Sequence, residues 1–262
     1  MDYQSIFERV EAKYMLTRQQ YLELMERCKD HLQPNIYPHS DITSIYLDSY
    51  DYRLVRSSLD KPAFKEKLRL RCYGEIKNDD APVFMEIKKK YKGVVYKRRQ
   101  DMTYRQAMNY LLFDRMPVDS QIMREIDWLR NSEAILEPRV IINYQHDSYD
   151  GIEEKDLRIT FDTDIRFSLD NLTLKNRNLK ECILDDSMII MEIKTLTAMP
   201  LWLVETLSEL SIYPHNFSKY GEIYRQYISK GGIRKCSVPY LNQYTVNSVL
   251  PHISSAPQPA YY

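Results

Sequence analysis

From Lys65 to Tyr73 the chain reads KEKLRLRCY, with Lys65, Lys67, Arg69 and Arg71 on alternate positions and Leu68, Leu70 and Cys72 on the others. Successive side chains of a strand point to opposite faces, so this segment has one cationic and one apolar face; helical spacing would scatter the charges around the axis. The next stretch, PVFMEIKKKYKGVVYKRRQDM, reads as two strands joined at Lys92 and Gly93. Glu86, Lys88 and Lys90 share one face, Val83, Met85 and Ile87 the other, and Lys97 and Arg99 share a face after the turn. PRVIINYQH and LRITFDTDIRF form a further antiparallel pair around Asp150 and Gly151. That pair sets Arg158, Thr160, Asp162 and Asp164 against Leu157, Ile159 and Phe161. MIIMEIKT offers Glu192 and Lys194 with the same period, RVEAKY alternates Arg9, Glu11 and Lys13, and DITSIYLDS is a companion strand.

Helices fit between these strands. Thr17 with Gln20 makes a capping box ahead of Tyr21, Leu24, Cys28 and Leu32 on one stripe, and Thr103 with Gln106 repeats it before Ala107, Tyr110 and Leu111. Further helices are expected from Ser120 to Leu129, after Pro200 through Leu210, and from Ser218 to Tyr227, the last ended by Gly231 and Gly232. The expected division is one α+β domain over 1–235 and a tail over 236–262, laid on the surface or disordered.

Composition narrows the function. Lys and Arg number 37 and Asp and Glu 37, which argues against a generally basic nucleic-acid binder, yet between Lys65 and Arg99 twelve cations stand against five anions. MDYQSIFERVE is acidic where a leader is basic and then apolar, and no apolar run nears the roughly 20 residues of a spanning helix, so a cytoplasmic chain without a membrane span is expected. The four cysteines show no CxxC spacing and read as reduced core thiols. Neither GxGxxG nor GxxxxGK[ST] occurs, so phosphate binding must use side chains.

An open sheet could leave its charged face in water. The helices argue otherwise: their apolar stripes need the apolar sheet face, which predicts an antiparallel barrel with cations inside and helices packed on its outer face. Like charges about 7 Å apart repel by roughly 2 kcal/mol at an effective dielectric near 20, so such a lumen calls for an anion.

RVEAKY, KLRLRCYG, FMEIKKKYKG, LRITFDTDIRF, IIMEIKT followed by Pro200 and Trp202, and HNFSKYGEIYRQY stand in this order and resemble the VTC domain, the polyphosphate polymerase of the triphosphate tunnel metalloenzyme superfamily. The resemblance covers about Phe7 to Tyr227. It implies an eight-stranded tunnel that takes ATP and transfers its γ-phosphoryl group to a growing inorganic polyphosphate chain. It also implies a divalent metal, manganese ahead of magnesium. By the same resemblance Lys13 is the first tunnel lysine, Arg69 and Arg71 the arginine pair on phosphate oxygens, and Lys88 the lysine of the ExK strand. Lys90, Lys97 and Arg99 on the basic strands, Arg158 before the DTD stretch, Tyr144 of a YxR motif, and Ser218 with Lys219 at the last helix complete the phosphate-binding set. Arg69, Arg71, Lys88, Lys219 and Glu192 would carry catalysis, with Glu192 the metal ligand.

Two positions depart from the family pattern: His146 stands where the family has arginine, and Asn216 where it has lysine before FSKY. One permanent charge is lost and another becomes dependent on pH. Lys65 and Lys67 read as the solvated strand entrance, Lys89 and Lys92 as surface charges, Glu86 and Glu11 as salt-bridge partners ahead of metal ligands, and His146 and His215 as ordinary polar residues. The alternatives are a triphosphate or nucleoside triphosphate hydrolase on the same scaffold and a non-catalytic polyanion-binding module. Membrane-anchored relatives admit a membrane-protein partner; nucleic acid is not expected, since the cations alternate with Leu rather than exposed aromatics.

Overall fold

The computed structural model describes residues 10–230 apart from 61, 93, 133, 186 and 197. KEKLRLRCY lies within β3 (Phe64–Tyr73), and the following stretch forms β4 (Pro82–Tyr91) and β5 (Val94–Thr103) as a hairpin. Lys92 takes φ 45° at that turn. Before them come β1 (Val10–Thr17), α1 (Arg18–Cys28), β2 (Leu32–Asp48) and α2 (Arg53–Leu59). After them follow α3 (Tyr104–Phe113), α4 (Gln121–Asn131), β6 (Glu137–Gly151), β7 (Arg158–Ser168), β8 (Glu181–Cys182), β9 (Met188–Thr195), α5 (Leu201–Glu209) and α6 (Lys219–Ile223), which runs into a π-helical turn over Tyr224–Ile228. Arg9, Gly231, Gly232, Cys236 and the tail over 236–262 lie outside the described residues.

Both expected capping boxes form: Thr17 accepts from the Gln20 amide and Thr103 from the Gln106 amide, each glutamine side chain reaching back to the cap. Two elements escaped the sequence reading. The first half of β2 holds Pro34 and Pro38 and loops out of register between Pro34 and His39. α2 begins after Tyr52 at φ 61°, with no side-chain cap to announce it.

Eight strands pair in the order β1-β9-β7-β6-β2-β3-β4-β5, all antiparallel, with β8 beside β7. The fold is therefore α+β, but the sheet is not closed: among the described residues β1 and β5 are its two ends. This corrects the expected barrel. The outer edge of β1 is taken by the chain ahead of α6, where Tyr14 bridges Pro214 and the His215 amide donates to the Lys13 carbonyl at 2.6 Å. The gap is spanned by side chains, Lys88 of β4 lying 3.7 Å from Glu11 of β1.

The apolar sheet face carries two clusters. Leu68, Leu70, Met85 and Ile87 pack with Ala107, Tyr110, Ile126 and Leu129 of α3 and α4. Phe161, Met191 and Ile193 pack with Leu24 and Cys28 of α1 and Leu203 and Leu207 of α5. A third cluster lies on the opposite, cationic face: Ile42, Tyr46, Val140, Ile142 and Ile190 meet Tyr52 and Val55 near α2 and Phe217, Tyr220 and Ile223 of the α6 segment. The helices are thus not all outside, and α6 fills part of the concavity. Its seat is fixed by Asp48, fully buried, which accepts from the amides of Ser49 (2.8 Å), Leu54 (2.8 Å) and Val55 (3.0 Å) and from the Tyr220 hydroxyl (2.8 Å).

β7 supplies a second correction. Asp164 was expected beside Asp162, but a register shift opposite Asn143–Gln145 puts it in a bulge at φ 47°, where it pairs at the surface with Arg166 (2.6 Å). Beyond the bulge Ile165 and Phe167 join the third cluster.

Candidate functional site

The concave face carries two linked charge clusters. In the first, Glu86 of β4, 1% exposed, receives Arg69 Nε at 2.7 Å and Nη2 at 2.6 Å. Arg71 Nε stands 4.0 Å from the same oxygen, and Lys97 Nζ lies 2.9 Å from the other, an ion pair off the hydrogen-bond direction. Register makes this cluster: Arg69 is directly opposite Glu86 on β4, and Glu86 opposite Arg99 on β5. Burial opposes the Glu86 charge, but Arg69, Arg71 and Lys97 together hold its pKa down to about 2.

Arg71, 7% exposed, donates from Nε to Ser44 Oγ and from Nη2 to Tyr144 Oη, both at 3.0 Å. The Lys219 ammonium lies 4.1 Å from the Tyr144 ring centroid and donates to Asp162 Oδ2. The other oxygen of Asp162 is 2.6 Å from His146 Nδ1. Burial would raise the Asp162 pKa, yet Lys219 and His146 bring it to about 2, and the same pairing overcomes burial to raise Lys219. The Tyr46 hydroxyl accepts from Arg69 Nη1 at 3.3 Å, and against its burial Arg69, Lys67 and Arg71 lower its pKa to about 8.

The second cluster lies along β1 and β9, where Lys13 is opposite Glu192. Lys13 donates to Glu192 and stands 3.1 Å from Glu11, and Lys194 is 3.0 Å from Glu192. Despite its burial, Lys13 and Lys194 push Glu192 well below the usual carboxylate range. Lys88 touches this cluster through Glu11, and burial lowers its pKa. Four carboxylates, Glu11, Glu86, Asp162 and Glu192, face these cations on the same wall: ladder register sets Arg69 opposite Glu86 and Lys13 opposite Glu192, while Asp162 meets Lys219 of α6.

Of the residues singled out from sequence, Lys13, Arg69, Arg71, Lys88, Lys97, Tyr144, Glu192, Ser218 and Lys219 belong to these clusters or border them. Three sit at the rim: Arg158, half-exposed, pairs with Asp150 (2.9 Å), Lys90 is exposed, and exposed Arg99 lies over the Phe84 ring at 4.2 Å. Lys67 corrects its assignment to the strand entrance: its Nζ donates to Ser218 Oγ at 2.9 Å, and burial lowers its pKa to about 8. Its signal was legible, since it shares the alternation of Arg69 and Arg71. The same hydroxyl of Ser218 accepts from the Gly221 amide (3.2 Å), capping α6 rather than leaving that amide free. Asp162, Tyr46 and Ser44 were not singled out; only Asp162 was on the expected face.

An antiparallel, curled sheet with a cation-rich concavity, α1, α3, α4 and α5 on its outer face and α6 inside it has a fold of the triphosphate-tunnel type. The chain belongs to the VTC domain family, whose model matches residues 8–228. Its fold resembles that of a candidate adenylate cyclase from Bacillus halodurans, with a TM-score of 0.52 and 13% identity over 84% of this chain and 97% of that one. A second candidate adenylate cyclase, from Vibrio parahaemolyticus, gives a TM-score of 0.43 at 12% identity over 84% and 99%. No curated protein sequence matches significantly. Fold and family together make this a polyphosphate-related tunnel protein of a phosphoryl-transfer family. No helix among the described residues is long and apolar enough to cross a membrane.

Proposed function

We propose that the chain is a metal-dependent polyphosphate polymerase that transfers the γ-phosphoryl group of ATP to the terminal phosphate of an inorganic polyphosphate chain. The supporting observation is that β1, β3, β4, β5 and α6 each send a cation, Lys13, Arg69 with Arg71, Lys88, Lys97 and Lys219, to one concave wall. Phosphoryl transfer needs mainly positioning and charge stabilisation, and its nucleophile here is an oxygen that is already anionic. The guanidinium forks of Arg69 and Arg71 match phosphate oxygens two at a time, while Lys88 and Lys219 act as point charges. Bound phosphate exchanges these cations away from Glu86, Glu11 and Asp162, so the internal pairs hold the wall folded until substrate arrives.

A divalent metal, manganese or magnesium, fits in a restricted way. No group of three or more metal-binding side chains occurs among the described residues. Glu192, with Glu11 beside it through Lys13, would be the protein's share, and phosphate oxygens and water the rest. When bound there, such an ion would supply neutralisation of phosphate charge.

The test is incubation with ATP and manganese, followed by separate assays of ADP, free phosphate and long-chain polyphosphate. ADP with polymer is expected. Free phosphate without polymer makes the chain a hydrolase, and binding without turnover of any triphosphate leaves a polyanion-binding module. Lys219→Ala is expected to abolish turnover while circular dichroism stays unchanged. Arg71→Ala would abolish it too, but with a loss of stability, since Arg71 is buried and bonded to Ser44 and Tyr144.

A further inference from the structure

We propose that Asp162 is a positioning residue for Lys219 and that protonation of His146 weakens its hold, so that acid strengthens the grip of this end of the concavity on a triphosphate. The inference rests on the reading of the concavity as a phosphate site, and it concerns how that site is regulated.

The geometry makes Asp162 a shared acceptor. One carboxylate oxygen takes the Lys219 ammonium and the other lies 2.6 Å from His146 Nδ1. The side chains of Asp162 and Lys219 are 11% and 15% exposed and that of His146 is 25% exposed, so the pair is enclosed while the imidazole reaches solvent protons. An ionised carboxylate only accepts, so a neutral His146 must carry its proton on Nδ1, leaving Nε2 as an acceptor. Taking up a proton places a second positive charge against Asp162 and turns Nε2 into a donor. Asp162, with its pKa near 2, stays ionised throughout and is then divided between two cations. The ammonium of Lys219, in reach of the Tyr144 ring and adjacent to Ser218, is released toward an incoming anion.

Among the described residues, β7 presents Asp162 to His146, Asp162 in turn holds Lys219 of the α6 segment, and on its own strand Tyr144 meets it edge-on with ring centroids 6.3 Å apart. β2 contributes Ser40 across the ladder, and the neighbouring Asp147 is taken by His39 at 2.7 Å. An arginine at position 146 would keep Asp162 divided at every pH.

The measurement is calorimetric affinity for tripolyphosphate between about pH 5.5 and 7.5, inside the range where histidine changes charge. It is made on the full chain, His146→Gln, His146→Arg and Asp162→Asn. Because tripolyphosphate itself titrates there, the quantity read is each affinity relative to His146→Gln. The unmodified chain should gain roughly fivefold or more over His146→Gln at the acid end and little at the neutral end. His146→Arg should bind tightly with the gain spread evenly over pH, and Asp162→Asn should bind more tightly at pH 7.5. By reciprocity, tripolyphosphate should raise the NMR titration midpoint of the His146 ring. Parallel pH profiles for the unmodified chain and His146→Gln would overturn the proposal while leaving the phosphate site intact. Absence of tripolyphosphate binding in every variant would overturn both.

Discussion

The concave face has two halves with one period and opposite fates. On β3, β4 and β5 the inward positions are Arg69, Arg71, Glu86, Lys88 and Lys97; on β2, β6 and β9 they include Ile42, Tyr46, Val140, Ile142 and Ile190. The first half is held together by ion pairs that a polyanion can replace. The second is a core, closed by Phe217, Tyr220 and Ile223 of α6 and anchored by Asp48. The difference teaches that alternation identifies a face, while the element that settles on it decides whether that face is a binding wall or an interior.

The largest effect expected from breaking this division is at Asp48. Asp48→Ala would strand three buried amides and the Tyr220 hydroxyl, at a cost of about 3–5 kcal/mol or loss of the fold, read by urea unfolding. Phe217→Ala, on the same half, should cost about 3 kcal/mol by leaving a cavity. Tripolyphosphate should raise the melting temperature of either variant by no more than it raises that of the unmodified chain, and a larger rise in either would dissolve the distinction between the halves.

Glu86→Gln belongs to the charged half. It leaves Arg69, Arg71 and Lys97 without their counter-charge and should cost about 2 kcal/mol, largely recovered in tripolyphosphate because the anion takes the missing place. The same carboxylate predicts acid sensitivity. The folded pKa values of Glu86 and Asp162, about 2, lie below their ordinary values of 4.5 and 3.8, so their stabilisation is complete above those values and is lost as pH falls through 2. Unfolding free energy should therefore drop steeply between pH 4.5 and 2, and a flat profile there would contradict the pairing.

A smaller effect is expected on the alkaline side. Lys67 loses its charge and Tyr46 gains one near pH 8, and both changes make the wall less positive. Affinity for tripolyphosphate should fall a fewfold from pH 7.5 to 9, with a phenolate absorbance change that Tyr46→Phe removes. Smallest of all is the rim: Arg99→Ala should alter stability by less than about 1 kcal/mol, since its stacking on Phe84 is exposed.

Much of this was legible residue by residue. The alternation of Lys67, Arg69 and Arg71 placed β3 and its charged face, the two capping boxes placed α1 and α3, and the motif order placed the family. Lys67 was misassigned although its position carried the signal, because a strand pattern says nothing about how far along the wall the site extends. Asp164 was put on the wrong surface because a bulge adds a residue without marking the sequence strongly. α2 went unseen because its start is stabilised by Asp48 from another element rather than by its own cap.

By itself the sequence determined the local periods, the caps and the sign of each face, because these depend on neighbours a few residues away. Tertiary structure alone decided that the sheet stays open, that α6 lies inside it, and that Glu192 and Asp162 take Lys13 and Lys219. Those outcomes depend on residues brought together from distant parts of the chain, such as Lys219 and Asp162 or Lys13 and Glu192, whose pairing no local spacing encodes.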